Sequence, residues 1–497
     1  MKILKLLKAT DWRVNLFVML AGAFTVLLAA RPPLDPDLGW HLRNGQDVLL
    51  FGAPPGDLYS HTMAGYPWIS HEWLTDVLIY LVNHYWGLLA LSIIFALITF
   101  AAYFIAARVA KTRIESAMVA IMVAGLVALP ILGIRPQMLT LLGLAATLWL
   151  LFRWRENPSS RIIYWLVPLT LLWVNMHGGF AAGLILAGVF GALELSKYLL
   201  KKYRPGSVSG PVLPAKRIWE LAGVGLASLA VTFINPYTWR IYEELFRTIF
   251  NEVVRTGIAE WLPVAFSNPQ SYNLTIYSIF VGVLLAFSWR RLDSTKIGIG
   301  VVFFFISIAS WRNMPLFPLV TLPLVSEMIE VLSPKGIYYY LRSWWVILAL
   351  LAVVGYSGRE RFYTVIPLST NEALVQLVGK YPYSAVQYIK EHKLPGKLFN
   401  EYNWGGYLIW KLPEKKVFID GRMAIWKTSE QDVFQEYLIT SNAGTAAPTI
   451  LDKYDVDLAL VYTQKPLAQY LVAYPDEWRL IYQDKLASLF QRISKNN

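Results

Sequence analysis

The run VLIYLVNHYWGLLALSIIFALITFAAYFIAA, residues 77–107, contains no Asp, Glu, Lys or Arg. About 20 predominantly apolar residues in a helix cross roughly 30 Å of hydrocarbon, and this run exceeds that. Working outward, apolar segments recur at 13–30, 115–134, 137–152, 161–175, 179–200, 218–234, 272–289, 296–311, 315–332 and 343–356. The pattern predicts an α-helical polytopic membrane protein with about 11 transmembrane helices. Composition points the same way. Of 497 residues 56% are hydrophobic and 16% charged, with mean hydropathy +0.43, which is too apolar for a soluble enzyme of this length.

The formal charge of +12 sits in short clusters beside the apolar segments, where it reports topology and not nucleic-acid binding. With the N-terminus in the cytoplasm, the inner loops carry Lys2, Lys5, Lys8 and Arg13; Arg108, Lys111 and Arg113; Arg153, Arg155 and Arg161; residues 197–217; Arg290, Arg291 and Lys296; and Lys335 and Arg342. The opposite loops are poorer in Lys and Arg, as the positive-inside bias requires. The basic start followed by a long apolar run without a small-residue cleavage site reads as a retained signal anchor. An odd number of spans then places residues 357–497 outside. The expected organisation is a transmembrane domain over 1–356, with a long first outer loop at 31–76, and a soluble α/β domain over 357–497. The chain has no Cys, which excludes disulfides, a thiol nucleophile and Cys-ligated metals.

This parity gathers five polar islands at the outer face: residues 35–72, Arg135-Pro136-Gln137, Asn175-Met176-His177, Asn235-Pro236-Tyr237 and Trp311-Arg312-Asn313. Ionisable groups near membrane depth are costly and tend to mark a site. The first outer loop reads as two amphipathic helices, near 38–51 and 70–82, separated by a Gly/Pro-rich turn at 52–56. Asp35 and Asp37, then His41, open it; His61, His71 and Glu72 close it, with Asp76 one turn later. Such carboxylates and imidazoles suit a general base or a divalent cation, Mg or Mn, for which Asp37, His71 and Glu72 are the candidate ligands. Asp35 and Asp37 could instead cap the N-terminus of the following helix, although capping does not explain Glu72 and the outer-face arginines.

Arg135 at a tight turn and Arg312 between Trp311 and Asn313 present the planar fork that holds phosphate oxygens, although an Arg at a span end also serves as an interface anchor. Asn175 and His177, with Gly178 and Gly179, form a further cluster. In the C-terminal domain, strands are expected at 397–400, 416–420, 456–462, 479–483 and 487–491, with helices near 383–393 and 466–473. Trp404, in the run 401–407, and Asp420-Gly421-Arg422 each follow a strand, where α/β folds place ligand residues; a tight turn and a strand-end ion pair are the structural alternatives.

These runs, Asp35-Pro36-Asp37-Leu38-Gly39-Trp40-His41-Leu42, His71-Glu72-Trp73-Leu74, Arg135-Pro136-Gln137, Asn175 to Gly179, Arg312 to Phe317, Trp404 to Tyr407 and Asp420-Gly421-Arg422, resemble in order and spacing a family of bacterial membrane proteins similar to GT-C glycosyltransferases. The wider group includes oligosaccharyltransferases, protein O-mannosyltransferases and aminoarabinose transferases. The resemblance covers nearly the whole chain. It implies a GT-C-like fold in the bacterial cytoplasmic membrane, a polyprenyl-phosphate-linked sugar donor, a glycan, lipid or protein acceptor, and transfer with inversion. It also implies Asp35 or Asp37 as base or metal-binding carboxylate, Glu72 as its partner, and Arg312 as a donor-phosphate contact. His41, His71, Arg135, Asn175, His177, Asn313, Trp404, Asp420 and Arg422 are the remaining candidate substrate contacts. The competing expectations are a transporter or flippase for a lipid-linked glycan and a non-catalytic envelope assembly protein; a transporter predicts ionisable groups in mid-span and on both faces.

Overall fold

A computed structural model describes residues 11–32, 35–157, 159–203, 210–333, 336–365 and 380–493. The basic residues Lys2, Lys5, Lys8 and Lys335, and the stretch 366–379 after the last apolar segment, lie outside the described residues. Each of the eleven apolar segments lies on a helix. Among the described residues six helices are long and apolar enough to cross a bilayer: Trp12–Ala29, Trp73–Ala107, Gln137–Glu156, Phe180–Tyr203, Tyr272–Arg291 and Trp311–Leu332. Ile114–Ala128, Ile162–Val174 and Ser294–Ile308 are shorter apolar helices. The chain is a membrane protein.

Contacts divide the chain into two compact units. The first comprises Met1–Pro32, Ser92–Trp239 and Arg255–Ile366, and holds most of the apolar helices. Gly143 and Gly183 lie so close to the Trp173 indole that a Cβ at either would meet it at about 2.6 and 2.5 Å, so small residues let these helices close on a large ring.

The second unit comprises Pro33–Leu91, Arg240–Val254 and Pro367–Asn497. The first long loop therefore packs together with the C-terminal chain. Strands β1 (Lys397–Asn400), β2 (Val456–Tyr462), β3 (Trp478–Gln483) and β4 (Ala487–Arg492) form one sheet in the order β1-β2-β4-β3. β1 and β2 are parallel, and β4 is antiparallel to both its neighbours. The helix Leu38–Phe51 buries one face against Gly405–Lys411. Their closeness depends on paired glycines: a Cβ on Gly39 would meet the Gly406 carbonyl oxygen at 2.0 Å, and one on Gly406 would meet the Pro36 oxygen at 2.2 Å.

One expected element is corrected. Residues 416–420 are not a strand; Val417 makes a single parallel bridge to Ser60. The backbone groups there are taken by the first loop and by a side chain. Val417 N donates to the Tyr59 carbonyl (3.0 Å), His61 N to the Val417 carbonyl (3.0 Å) and Thr62 Oγ1 to the Phe418 carbonyl (2.6 Å). The Asn400 amide bonds Phe418 N and the Ile419 carbonyl, both at 2.8 Å. A strand-like sequence whose backbone groups are taken by the distant first loop and by the Asn400 side chain forms no ladder of its own.

Candidate functional site

In the second unit, His41 points from the first turn of Leu38–Phe51 toward the start of Trp73–Ala107. His41, Glu72 and Asp76 are all buried, and one ligand atom from each lies within 4.8 Å of the others. His41 Nδ1 is 2.6 Å from Asp76 Oδ1, and Nε2 is 3.7 Å from Glu72 Oε2. Asn44 Nδ2 donates to Asp76 Oδ2 (2.6 Å) and to Ser70 Oγ (2.9 Å), fixing the carboxylate from behind. His71 Nε2 reaches Glu72 Oε1 at 3.5 Å. Burial works against charging His41, but Asp76, then Glu72 and Asp37, outweigh it and push its pKa up to about 9.

Asp37 occupies the N-cap of Leu38–Phe51 and makes no side-chain capping bond there. Its carboxylate instead lies against Gly421, where a Cβ would meet Asp37 Oδ1 at 1.8 Å. Asp35 Oδ1 accepts from Asp37 N at 2.9 Å, and the Asp35 carbonyl accepts from the Tyr381 hydroxyl at 2.9 Å. Asp35 thus closes a turn onto the residue that begins the helix, and the Asp37 carboxylate is turned to the Asp420-Gly421-Arg422 run.

That run is an anchor. Arg422 is buried and bonds Asp420 through Nε (2.8 Å) and a terminal nitrogen (2.7 Å), and Asp57 at 2.9 Å. Its guanidinium stands over Trp68 (4.5 Å), Tyr59 (4.9 Å) and Trp426 (5.1 Å). A buried cation with two carboxylates and three rings ties the first loop to the C-terminal chain. Trp404 is wholly buried, with Nε1 donating to the Lys380 carbonyl (2.9 Å).

In the first unit, the two arginines meet one short segment, Ala259–Trp261. Arg135 bonds Glu260 at 2.5 Å, and the Arg312 guanidinium stands 5.3 Å from the Trp261 ring. Gln137, with its amide oxygen turned toward Arg312, accepts from Nε at 3.1 Å and from a terminal nitrogen. Trp311 N to the Leu262 carbonyl (3.1 Å) and Ser310 Oγ to the Glu260 carbonyl (3.0 Å) lace the two segments together. The Asn313 carbonyl accepts from Ser307 Oγ (2.9 Å). Asn175 Nδ2 donates to the Leu171 and Ile234 carbonyls, and His177 Nδ1 meets Thr140 Oγ1 (2.6 Å) and Gly179 N (2.9 Å).

No protein-family model and no curated protein sequence matches the chain. Solved structures do. It is similar to the archaeal oligosaccharyltransferase AglB from Archaeoglobus fulgidus in complex with an inhibitory peptide and a dolichol-phosphate, with a TM-score of 0.61 at 13% identity over 94% of this chain and 71% of that one. It is also similar to ArnT from Cupriavidus metallidurans bound to undecaprenyl phosphate, with a TM-score of 0.54 at 14% identity over 98% of this chain and 99% of that one. A third likeness is the Archaeoglobus fulgidus oligosaccharyltransferase in complex with Zn and sulfate, with a TM-score of 0.51 at 12% identity over 92% and 69%. The fold is GT-C-like.

On this GT-C-like frame the structure adds three acidic residues that the motifs leave out of the candidate set. Asp76 completes the group with His41 and Glu72. Glu260 pairs with Arg135. Glu244, on the amphipathic helix Arg240–Phe250, is held above the usual carboxylate range by burial, against the pull of His71 and Arg247. Asp76 had a sequence signal, since it follows Glu72 by one helical turn; Glu244 and Glu260 had none beyond their polarity.

Proposed function

We propose that the chain is a membrane glycosyltransferase that moves a sugar from a polyprenyl-phosphate-linked donor to an acceptor at the outer face of the bacterial cytoplasmic membrane, with inversion at the anomeric carbon. The N-terminus lies inside, and the long first loop and the C-terminal domain lie outside, in keeping with the positive-inside bias. The observation that carries this reading is the buried, carboxylate-rich group of His41, Glu72 and Asp76, with Asp37 adding to its field, in a chain of GT-C-like fold.

Asp37 or Asp35 takes the proton of the acceptor hydroxyl. The freed oxygen pair forms a bond to the anomeric carbon from the side opposite the donor phosphate, the carbon–oxygen bond to that phosphate breaks, and its electron pair leaves with polyprenyl phosphate. Arg312, supported by Trp261 and Gln137, offsets the charge on the departing phosphate, with Arg135 and Asn313 near it in the same unit. The donor set also fits a divalent cation. A hydrogen on His41 Nδ1, favoured by Asp76, leaves Nε2 facing Glu72 as a ligand pair, an arrangement in which the rear carboxylate orients the imidazole. A bound Mg or Mn would supply Lewis-acid stabilisation of the phosphate.

The test is release of polyprenyl phosphate from a panel of lipid-linked sugars by purified wild type and by Asp37→Asn, with and without Mg²⁺ or Mn²⁺. The expected result is turnover by wild type and a loss on the order of 10³-fold in a variant that melts normally. A folded wild type that consumes no donor in the panel, while Asp37→Asn supports growth as wild type does, would sink the transferase reading in favour of a transporter or assembly role.

A further inference from the structure

Gly421 opens the 3₁₀ turn Gly421–Ile425 without the positive φ that calls for glycine at Gly52, Gly65 or Gly396. What its missing side chain makes room for is a carboxylate. A Cβ at 421 would meet Asp37 Oδ1 at 1.8 Å, Cγ at 2.8 Å and Oδ2 at 3.2 Å. The other close glycines of the second unit differ in kind. A Cβ on Gly39 would meet the Gly406 carbonyl oxygen at 2.0 Å, one on Gly405 the Ile419 oxygen at 2.2 Å, and one on Gly406 the Pro36 oxygen at 2.2 Å. Those obstacles are backbone and cannot step aside without moving the chain. A carboxylate at the end of a side chain can turn to another rotamer. A larger residue at 421 therefore leaves the fold in place and displaces the Asp37 carboxylate.

Both sides of this contact are held. Asp35 Oδ1 accepts from Asp37 N at 2.9 Å, and the Tyr381 hydroxyl donates to the Asp35 carbonyl at 2.9 Å, which fixes the backbone from which the Asp37 side chain departs. Opposite, the Tyr402 hydroxyl donates to the Gly421 carbonyl at 3.1 Å. The neighbours of Gly421 are pinned as well, through the Arg422 bonds to Asp420 (2.7 and 2.8 Å) and to Asp57 (2.9 Å). The buried Arg422 anchor thus holds Gly421 against the Asp37 carboxylate. A general base must lie within about 2.6–3.2 Å of the proton it takes, and a misplacement of about 1 Å can cost on the order of 100-fold in rate.

We propose that Gly421 is a positioning residue: held by Tyr402 and Arg422, it sets the rotamer in which Asp37, and not Asp35, takes the proton of the acceptor hydroxyl. This assignment rests on the transferase reading and narrows it to one base. The test is steady-state release of polyprenyl phosphate by the full-length protein, with the lipid-linked sugar that wild type turns over fastest. Gly421→Ala should melt as wild type does, lower kcat roughly 100-fold and leave donor KM within about threefold. Gly39→Ala, whose Cβ meets backbone, should melt lower. In an Asp37→Asn background Gly421→Ala should cost nothing further, because the base it displaces is already lost; a merely structural role would multiply the two losses. Should Gly421→Ala fail to fold, Tyr402→Phe decides, with a drop in kcat of roughly fivefold that vanishes in the Asp37→Asn background. A wild-type kcat in folded Gly421→Ala, an unchanged kcat in Tyr402→Phe, or losses that multiply in the double variants each overturn the assignment. Turnover that survives Asp37→Asn also overturns it while leaving the transferase reading in place, whereas a wild type that consumes no donor removes both.

Discussion

Two buried clusters of charge, one taken from each unit, differ in balance. In the first unit, Arg155 and Lys197 face Glu194 and Asp293: Arg155 to Glu194 at 2.7 Å and to Asp293, Lys197 to Asp293 at 3.3 Å and to Glu194 at 3.5 Å, with Thr295 Oγ1 donating to Glu194 at 2.6 Å. Two cations meet two anions, so the set is balanced in charge. In the second unit the buried His41 imidazole faces two carboxylates, Glu72 and Asp76, with the half-buried His71 ring 3.5 Å from Glu72, so carboxylates outnumber the one wholly buried imidazole. A balanced set stabilises the packing of the helices that supply it. An unbalanced set is held by surrounding structure and gains from a cation or a proton brought to it.

The largest expected effect separates these two functions. Glu194→Gln leaves Arg155 and Lys197 with one carboxylate and should destabilise the protein by about 3–5 kcal/mol, read as a lowered melting temperature in detergent. Glu72→Gln removes excess negative charge and should melt at or above wild type, while polyprenyl phosphate release falls by roughly 100-fold. The comparison breaks under the opposite pattern, a stable Glu194→Gln and an unfolded Glu72→Gln.

The second expectation concerns pH. His41 has its folded pKa raised to about 9 from an ordinary 6.5, so its pairing stabilises the fold fully below about pH 6.5 and is lost as pH rises through about 9. In metal-free buffer the loss should be on the order of 2–3 kcal/mol across that window, and His41→Asn should flatten it. Melting curves from pH 6 to 10 check this. An equally steep fall in the variant would assign the window to another group. With Mn²⁺ present, apparent affinity should climb over the same window, since a ligand imidazole must first lose its proton.

The same contrast separates what the sequence shows from what it hides. All eleven apolar segments are helices because long runs of Leu, Ile, Val, Phe and Ala carry their signal locally, and the helix at 38–51 and four of the five expected strands follow from local periodicity in the same way. Residues 416–420 carry the β-branched and aromatic run Val417-Phe418-Ile419 that suits a strand, yet their partners come from Tyr59, His61, Thr62 and the Asn400 side chain, which no local window contains. The polar runs were legible as a group of candidates, but their distribution was not. Arg422 and Asp420 pair with Asp57, Arg135 pairs with Glu260, and Asp76 joins His41, all through contacts between distant segments. Glycines 39, 406 and 421 carry the same lesson: each marks a close approach, to Gly406, Pro36 and Asp37 respectively, that becomes visible only when both sides are in place.

The smallest effect distinguishes the two arginines of the first unit. Arg135 is committed to Glu260, whereas Arg312 is held by the Trp261 ring and the neutral Gln137 amide, which leaves its charge available to an anion. Arg312→Lys keeps the charge and loses the planar fork and its stacking, so the donor KM should rise about tenfold, close to 1.4 kcal/mol, with kcat within about threefold of wild type. Arg135→Lys should move KM by less, because its main partner is another side chain. Steady-state kinetics with a lipid-linked donor separates the cases. A drop in kcat at unchanged KM for Arg312→Lys would mean that the guanidinium acts on the departing phosphate only in the transition state. Equal changes in both variants would remove the distinction between a committed and an available arginine.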